Sequence, residues 1–107
     1  MKHIKLFENF EAKYKKVSLR DGEKYYKDHK IENFNNDEIS NIKNSTKYHV
    51  TSYNNSVKLL KNSTIINIKK LNNDTYYVKH NIKRENTFTK CYICSGINGL
   101  IEYIKTL

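Results

Sequence analysis

Proline and tryptophan are absent from this 107-residue chain, which holds one methionine, two cysteines and three glycines. Proline-rich, collagen-like and linker-type sequences are thereby excluded. No apolar run approaches the roughly 18 residues that a membrane span needs, so no membrane partner is expected. The start, MKHIKLFENF, is charged throughout and has no small-residue cleavage site, so no secretory signal is expected. Neither a Walker A sequence nor GxGxxG occurs, which argues against a phosphate-cradling nucleotide site.

What is present is basic. Twenty Lys+Arg stand against eleven Asp+Glu, a formal net charge of +9. Leu, Ile, Val and Phe make up about a quarter of the chain, above the rough 20% below which disorder is expected, so a small core is affordable. The length fits one domain spanning 1–107. Asn, Lys, Ile and Tyr supply 54 of the 107 residues, and Lys outnumbers Arg 18 to 2. All four have A/T-rich codons, so an A/T-biased genome inflates the lysine count independently of function. The N-x-[ST] sequons at Asn44, Asn54, Asn62 and Asn73 are a chance product of the asparagine content.

Periodicity divides the chain into a helical part, about 1–45, and a sheet with a closing helix, about 46–107. Leu6, Phe7, Phe10 and Tyr14 fall at helical spacing, which predicts an amphipathic helix over 4–14 docked on the core. Asp21-Gly22 between Val17-Ser18-Leu19 and Tyr25-Tyr26 suggests a hairpin, with Gly22 between two helices as the alternative. Asn35 and Glu38 form a capping box, Phe34 and Ile39 a hydrophobic staple, and together they predict a helix over about 37–44 that buries Ile39 and Ile42. Strand patterns follow at 47–53, 57–60, 64–71, 75–80 and 87–94, with turns at 72–74 and 83–86. Gly96 and Gly99 end the last strand, with a positive-φ turn at Gly96 and a cap from Ser95 or Asn98. Leu100, Ile101, Ile104 and Leu107 form the apolar face of the closing helix. The expected class is α+β: an antiparallel sheet of about three to five strands, N-terminal short helices and a packed C-terminal helix.

Candidate chemistry is sparse. Cys91-Tyr92-Ile93-Cys94 is the one CxxC, but the nearest other ligands, His49 and His80, lie on different predicted strands. A strand also turns residues three apart to opposite faces, so no shared metal is expected. The bland alternative is two reduced core cysteines. A redox pair would sit at a helix N-terminus. Gly96-Ile97-Asn98-Gly99 matches the GxxG of KH domains, but joins a strand to a helix rather than two helices. His3, His29, His49 and His80 have no nearby nucleophile motif. The acids between Glu23 and Glu38 are spread through a Lys-rich segment as a solvated face. No catalytic residues, cofactor or metal are expected, and the chain reads as a non-enzyme.

The basic excess lies in the second half: net +6 over 51–107 against +3 over 1–50. Lys69, Lys79 and Lys90 fall on separate predicted strands, and Lys70, Lys83 and Arg84 at strand ends or turns. Interleaved with Tyr76 and Tyr77, and with Tyr92 nearby, they are the candidate contact set for nucleic acid or a protein partner. The competing explanation is that these lysines merely solubilise the outer face while the tyrosines pack inward.

Three stretches also carry a resemblance. Ile4-Lys5-Leu6-Phe7-Glu8-x-Phe10, Phe34-x-x-x-Glu38-Ile39-x-x-Ile42, and Ile66-x-Ile68-x-x-Leu71-x-x-Asp74-x-Tyr76-Tyr77-Val78 with Thr89-Lys90-Cys91 and Gly99-Leu100-Ile101-x-x-Ile104-Lys105 resemble an uncharacterised family of small phage-encoded accessory proteins. That family often has an aromatic at the position of Thr75 and an acid at that of Tyr92. The resemblance implies a phage accessory origin and the bacterial host cytoplasm. It carries no activity and no catalytic residues. The expected role is binding a host protein or complex, of the host-takeover or anti-defence type, with nucleic-acid binding through the sheet face as the alternative. Oligomeric state is not legible.

Overall fold

A computed structural model describes residues 13–82 and 89–107. Among the described residues, seven strands form one antiparallel sheet: β1 (Tyr14–Val17), β2 (Ile31–Glu32), β3 (His49–Ser52), β4 (Ser56–Lys61), β5 (Thr64–Leu71), β6 (Thr75–Ile82) and β7 (Thr89–Ser95). The same residues form three helices: α1 (Leu19–Lys27), α2 (Asn36–Ser45) and α3 (Gly96–Lys105). The order across the sheet is β1-β7-β6-β5-β4-β3, with β2 beside the end of β5. The class is therefore α+β as expected, but the sheet is wider than three to five strands. The two short N-terminal strands were hidden inside a part that reads as helical. No helix among the described residues is long and apolar enough to cross a membrane.

The turns explain the register of the meander. Asn62 at φ 53° opens the two-residue connection that sets Lys61 opposite Thr64. Asp74 at φ 60° ends the three-residue connection that sets Leu71 opposite Thr75. Asn and Asp tolerate this left-handed conformation because their short polar side chains bond locally.

One sheet face, the inner face, carries Val57, Leu59, Ile66, Ile68, Tyr76, Val78 and Cys94, all buried against Ile42 of α2 and Leu100, Tyr103 and Ile104 of α3. On the opposite, outer face, Leu71, Tyr77, Cys91 and Ile93 meet Val17, Tyr25 and Tyr26, so α1 supplies the cover there.

The region around Asp21-Gly22 is not a hairpin but α1. Ser18 caps it by accepting from the Asp21 N–H at 3.1 Å. Gly22 lies inside the helix because the helix presses on the sheet there: a Cβ would meet Tyr77 Cε1 at 3.0 Å and Cys91 Cβ at 3.1 Å. At Tyr14 the expected N-terminal helix gives way to β1; its remainder lies outside the described residues, as does the turn at 83–86. α3 begins at Gly96, earlier than expected, with φ 68° at that glycine and Ser95 in the cap position without a side-chain bond. Leu107, expected in the stripe, is 37% exposed, and Tyr103 takes its place, packing on Tyr14 and Tyr92. The i, i+3, i+4 positions after Leu100 are Tyr103 and Ile104, so the stripe ends one turn sooner.

The capping box of α2 is present as read. The Asn35 side chain accepts from the Glu38 N–H at 2.8 Å and Glu38 Oε1 accepts from the Asn35 N–H at 2.9 Å. The same carboxylate reaches the sheet, accepting from Lys70 Nζ at 3.0 Å and from the Tyr76 hydroxyl. Burial pushes the Glu38 carboxyl up, but bonds from Tyr76, the Asn35 backbone and Lys70, with the Lys70 charge, outweigh it and hold it below its ordinary 4.5.

Two predictions follow from this packing. Gly99→Ala would set a Cβ 2.3 Å from the Lys13 carbonyl oxygen, a backbone atom. It is expected to cost about 1–3 kcal/mol in urea unfolding. Gly22→Ala should cost less, because its neighbours are side chains rather than a backbone carbonyl; the gain of about 1 kcal/mol in helix propensity is common to both sites. Equal stability of both variants with the parent would refute this packing. Glu38→Gln should lose about 1–3 kcal/mol at pH 7 by weakening charged hydrogen bonds. A depressed carboxyl pKa stabilises above its unfolded value and is lost as pH falls through the folded one. The gap between parent and variant should therefore close below pH 4.5. A gap unchanged from neutral to acid would show that the charge is not the anchor.

Candidate functional site

Alternation along the strands divides the sequence-derived contact set. Lys69, Tyr77 and Lys79 belong to the outer face. Lys69 stands opposite Tyr77, and Lys79 is opposite both Asn67 and Cys91. Lys70, Tyr76 and Lys90 belong to the inner face. Lys70 and Tyr76 are tied to Glu38, Tyr76 is fully buried, and Lys90 stands opposite His80. Lys83 and Arg84 lie outside the described residues. The sheet therefore divides the set between its two faces, and neither Tyr76 nor Tyr77 offers an open ring. Tyr77 is 4% exposed, stacks on Tyr26 at 5.2 Å, and donates to Glu23 Oε2 at 2.9 Å. Burial, with bonds to Cys91 and Glu23, pushes its hydroxyl pKa up.

The structure adds residues that the sequence reading missed. α1 packs on Leu71 of β5, Tyr77 of β6 and Cys91 and Ile93 of β7, and no residue of β3 or β4 belongs to that buried cluster. On β4, Lys58 stands opposite Asn67, which stands opposite Lys79. Lys58 and Lys79 therefore flank Asn67 on the two neighbouring strands, and Lys69 follows it by two residues on β5. Beside this row lies a cross-strand pair of half-buried apolar side chains, Leu60 and Ile65. Tyr53, 51% exposed, flanks the patch, with Lys58 Nζ 5.6 Å from its ring centre.

Where α1 meets this row, Glu23, Tyr26, Asn67, Lys69, Tyr77 and Lys79 line a cleft of about 210 Å³. Lys79 Nζ is 3.9 Å from Glu23 Oε2, a distant and partly solvated pair worth little. Lys69 has no carboxylate within ion-pair distance among the described residues. The cleft is thus a cationic recess with an amide donor at its floor, suited to hold an anionic group. A larger cleft of about 490 Å³ lies at the C-terminal ends of α2 and α3, lined in part by Lys47, Lys61 and Lys105. Lys105 is in the last turn of α3, where a lysine suits the helix dipole, and Lys61, at the end of β4, has its ammonium 5.4 Å from the Tyr48 ring centre.

The cysteines are both buried and on opposite faces, Cys91 under α1 and Cys94 under α2 and α3. Burial pushes the Cys94 thiol up to about 12. Among the described residues no three His, Cys, Asp or Glu side chains are grouped to hold a metal ion.

What these observations define is a small α+β sheet domain in which, among the described residues, one face is covered by α2 and α3 and the other is covered in part by α1 and carries Lys58, Lys69 and Lys79. No protein-family model matches the chain, and neither a curated protein nor a solved structure is significantly similar to it.

Both thiols should resist iodoacetamide in the folded protein at pH 8 and label only on unfolding, since the thiolate is the reacting form. Rapid labelling of either cysteine, read by intact mass, would contradict the burial described here.

Proposed function

We propose that this protein is a non-enzymatic accessory protein of phage type that binds a host protein or complex in the bacterial cytoplasm, using the part of the outer sheet face that carries these lysines. The Leu60–Ile65 pair carries this reading: an apolar centre, half exposed on a rigid sheet, beside Lys58, Lys69 and Lys79. Protein interfaces commonly combine an apolar centre with a polar rim. Nucleic-acid binding is less well supported by the same geometry. Bases stack on open aromatic faces, and on this face Tyr77 is buried, Tyr26 is half-buried and stacked on Tyr77, and Tyr53 stands at the margin. The phage and cytoplasmic parts of the proposal rest on the three sequence stretches quoted above.

The test uses immobilised full-length protein and a bacterial host lysate. Leu60→Thr with Ile65→Thr keeps β-forming side chains while removing the apolar centre. A specific host protein should be retained by the parent and reduced about tenfold by the variant, a loss of about 1.4 kcal/mol. Capture unaffected by the variant would refute the surface. Tight, strongly salt-dependent binding of a labelled oligonucleotide instead would favour the alternative.

A further inference from the structure

We infer that the recess lined by Asn67, Lys69 and Lys79, with Lys58 on the adjoining strand, is a carboxylate-binding subsite that receives acidic side chains from an extended segment of the protein partner; this rests on the binding surface proposed above. Three observations converge on it. Three lysines stand around Asn67 in register: Lys58 and Lys79 flank it across neighbouring strands, and Lys69 lies two residues along β5; Lys69 and Lys79 line the recess with it, while the Lys58 ammonium lies 5.6 Å from the Tyr53 ring centre. Lys69 is half-buried yet has no acid beside it among the described residues, while its neighbour Lys70 is fully engaged by Glu38. The recess also has depth, because α1 walls one side with Glu23 and Tyr26.

Spacing selects the form of the guest. Lys69 lies opposite Tyr77, so Lys79 is its diagonal neighbour, and Lys58 is the diagonal neighbour on the other side. Such diagonals measure about 7–8 Å. In an extended chain, side chains at i and i+2 share one face about 6.5–7 Å apart. Acids at i and i+2 of an extended segment therefore match the backbone spacing of two of the three lysines. The Leu60–Ile65 pair adjoins the row and receives an apolar side chain from the same segment. A phosphodiester chain fits less well. Its charge is continuous, whereas the recess wall carries the Glu23 carboxylate, held in place by the Tyr77 hydroxyl.

The test uses the full chain and three labelled probes: a hexaglutamate peptide, a hexaglutamine peptide, and a twelve-residue oligothymidylate. Hexaglutamate should shift the amide resonances of Lys58, Asn67, Lys69 and Lys79, including the Asn67 side-chain amide, and hexaglutamine should not. Its affinity, read by fluorescence anisotropy, should fall about tenfold in Lys69→Gln with Lys79→Gln, and should weaken with added salt. The shifts in the parent protein stand even if that variant folds poorly. Absence of hexaglutamate shifts, or shifts centred on Lys47, Lys61 and Lys105, would overturn the subsite. Tighter binding of oligothymidylate at the same resonances would overturn it in favour of nucleic acid. Should the subsite fail while Leu60→Thr with Ile65→Thr still abolishes partner capture, the binding surface stands without it. Should capture survive that variant, the surface itself is wrong.

Discussion

The Glu38 carboxylate is the contact on which the arrangement of this protein most depends. One side chain closes the N-terminal turn of α2, pairs with Lys70 on β5 and accepts from Tyr76 on β6. A half-buried charge is costly to leave unpaired, so its three partners fix one another's positions. The consequence reaches the opposite side of the sheet. Because side chains alternate, holding Lys70 inward turns Lys69 outward. Two adjacent lysines thus have opposite fates: one is part of the scaffold, and the other is left beside Asn67 and Lys79 as part of a surface.

Much of the fold was legible in the residues. The capping box at Asn35 and Glu38 and the staple at Phe34 and Ile39 are local devices, and local devices survive folding. β5 matches its β-branched run, and the turns at Asn62 and Asp74 carry residues that suit left-handed backbone. Asp21-Gly22 misled because tertiary packing overrode a turn signal. The glycine serves close approach of a helix to Tyr77 and Cys91, which no local pattern shows. β1 and β2 are too short to show alternation, and their pairing partners are remote.

The candidate surface was legible only in part, and the reason is register. Counting back from the Lys61–Thr64 and Leu71–Thr75 turns places Lys58, Asn67 and Lys79 in one row. Lys58 and Asn67 could therefore have been found by that count. The connection from β6 to β7 is longer and does not set register, so the side on which Lys90 emerges was not readable. Tyr103 escaped because a tyrosine scores as amphipathic whether it faces core or solvent. The cysteines show the converse: three-residue spacing on a strand was enough to send them to opposite faces.

The pairing of β1 with β7 bears on how the chain is made. Tyr14 lies opposite Cys94, 80 positions later in the chain. The β3–β7 meander joins neighbours in sequence and can zip as it leaves the ribosome, but β1 emerges long before its partner exists. Until β7 is synthesised, the β1 backbone has no mate in its own molecule. Long-range closures of this kind slow folding and leave strand edges open to other chains. Two of the five residues from Lys13 to Val17 are Tyr14 and Val17, which later pack in the core clusters, and the other three are lysines. Positive charge on a waiting strand discourages it from pairing with a copy of itself. Lys13, Lys15 and Lys16 thus put the charge that discourages edge pairing at the strand whose partner is made last.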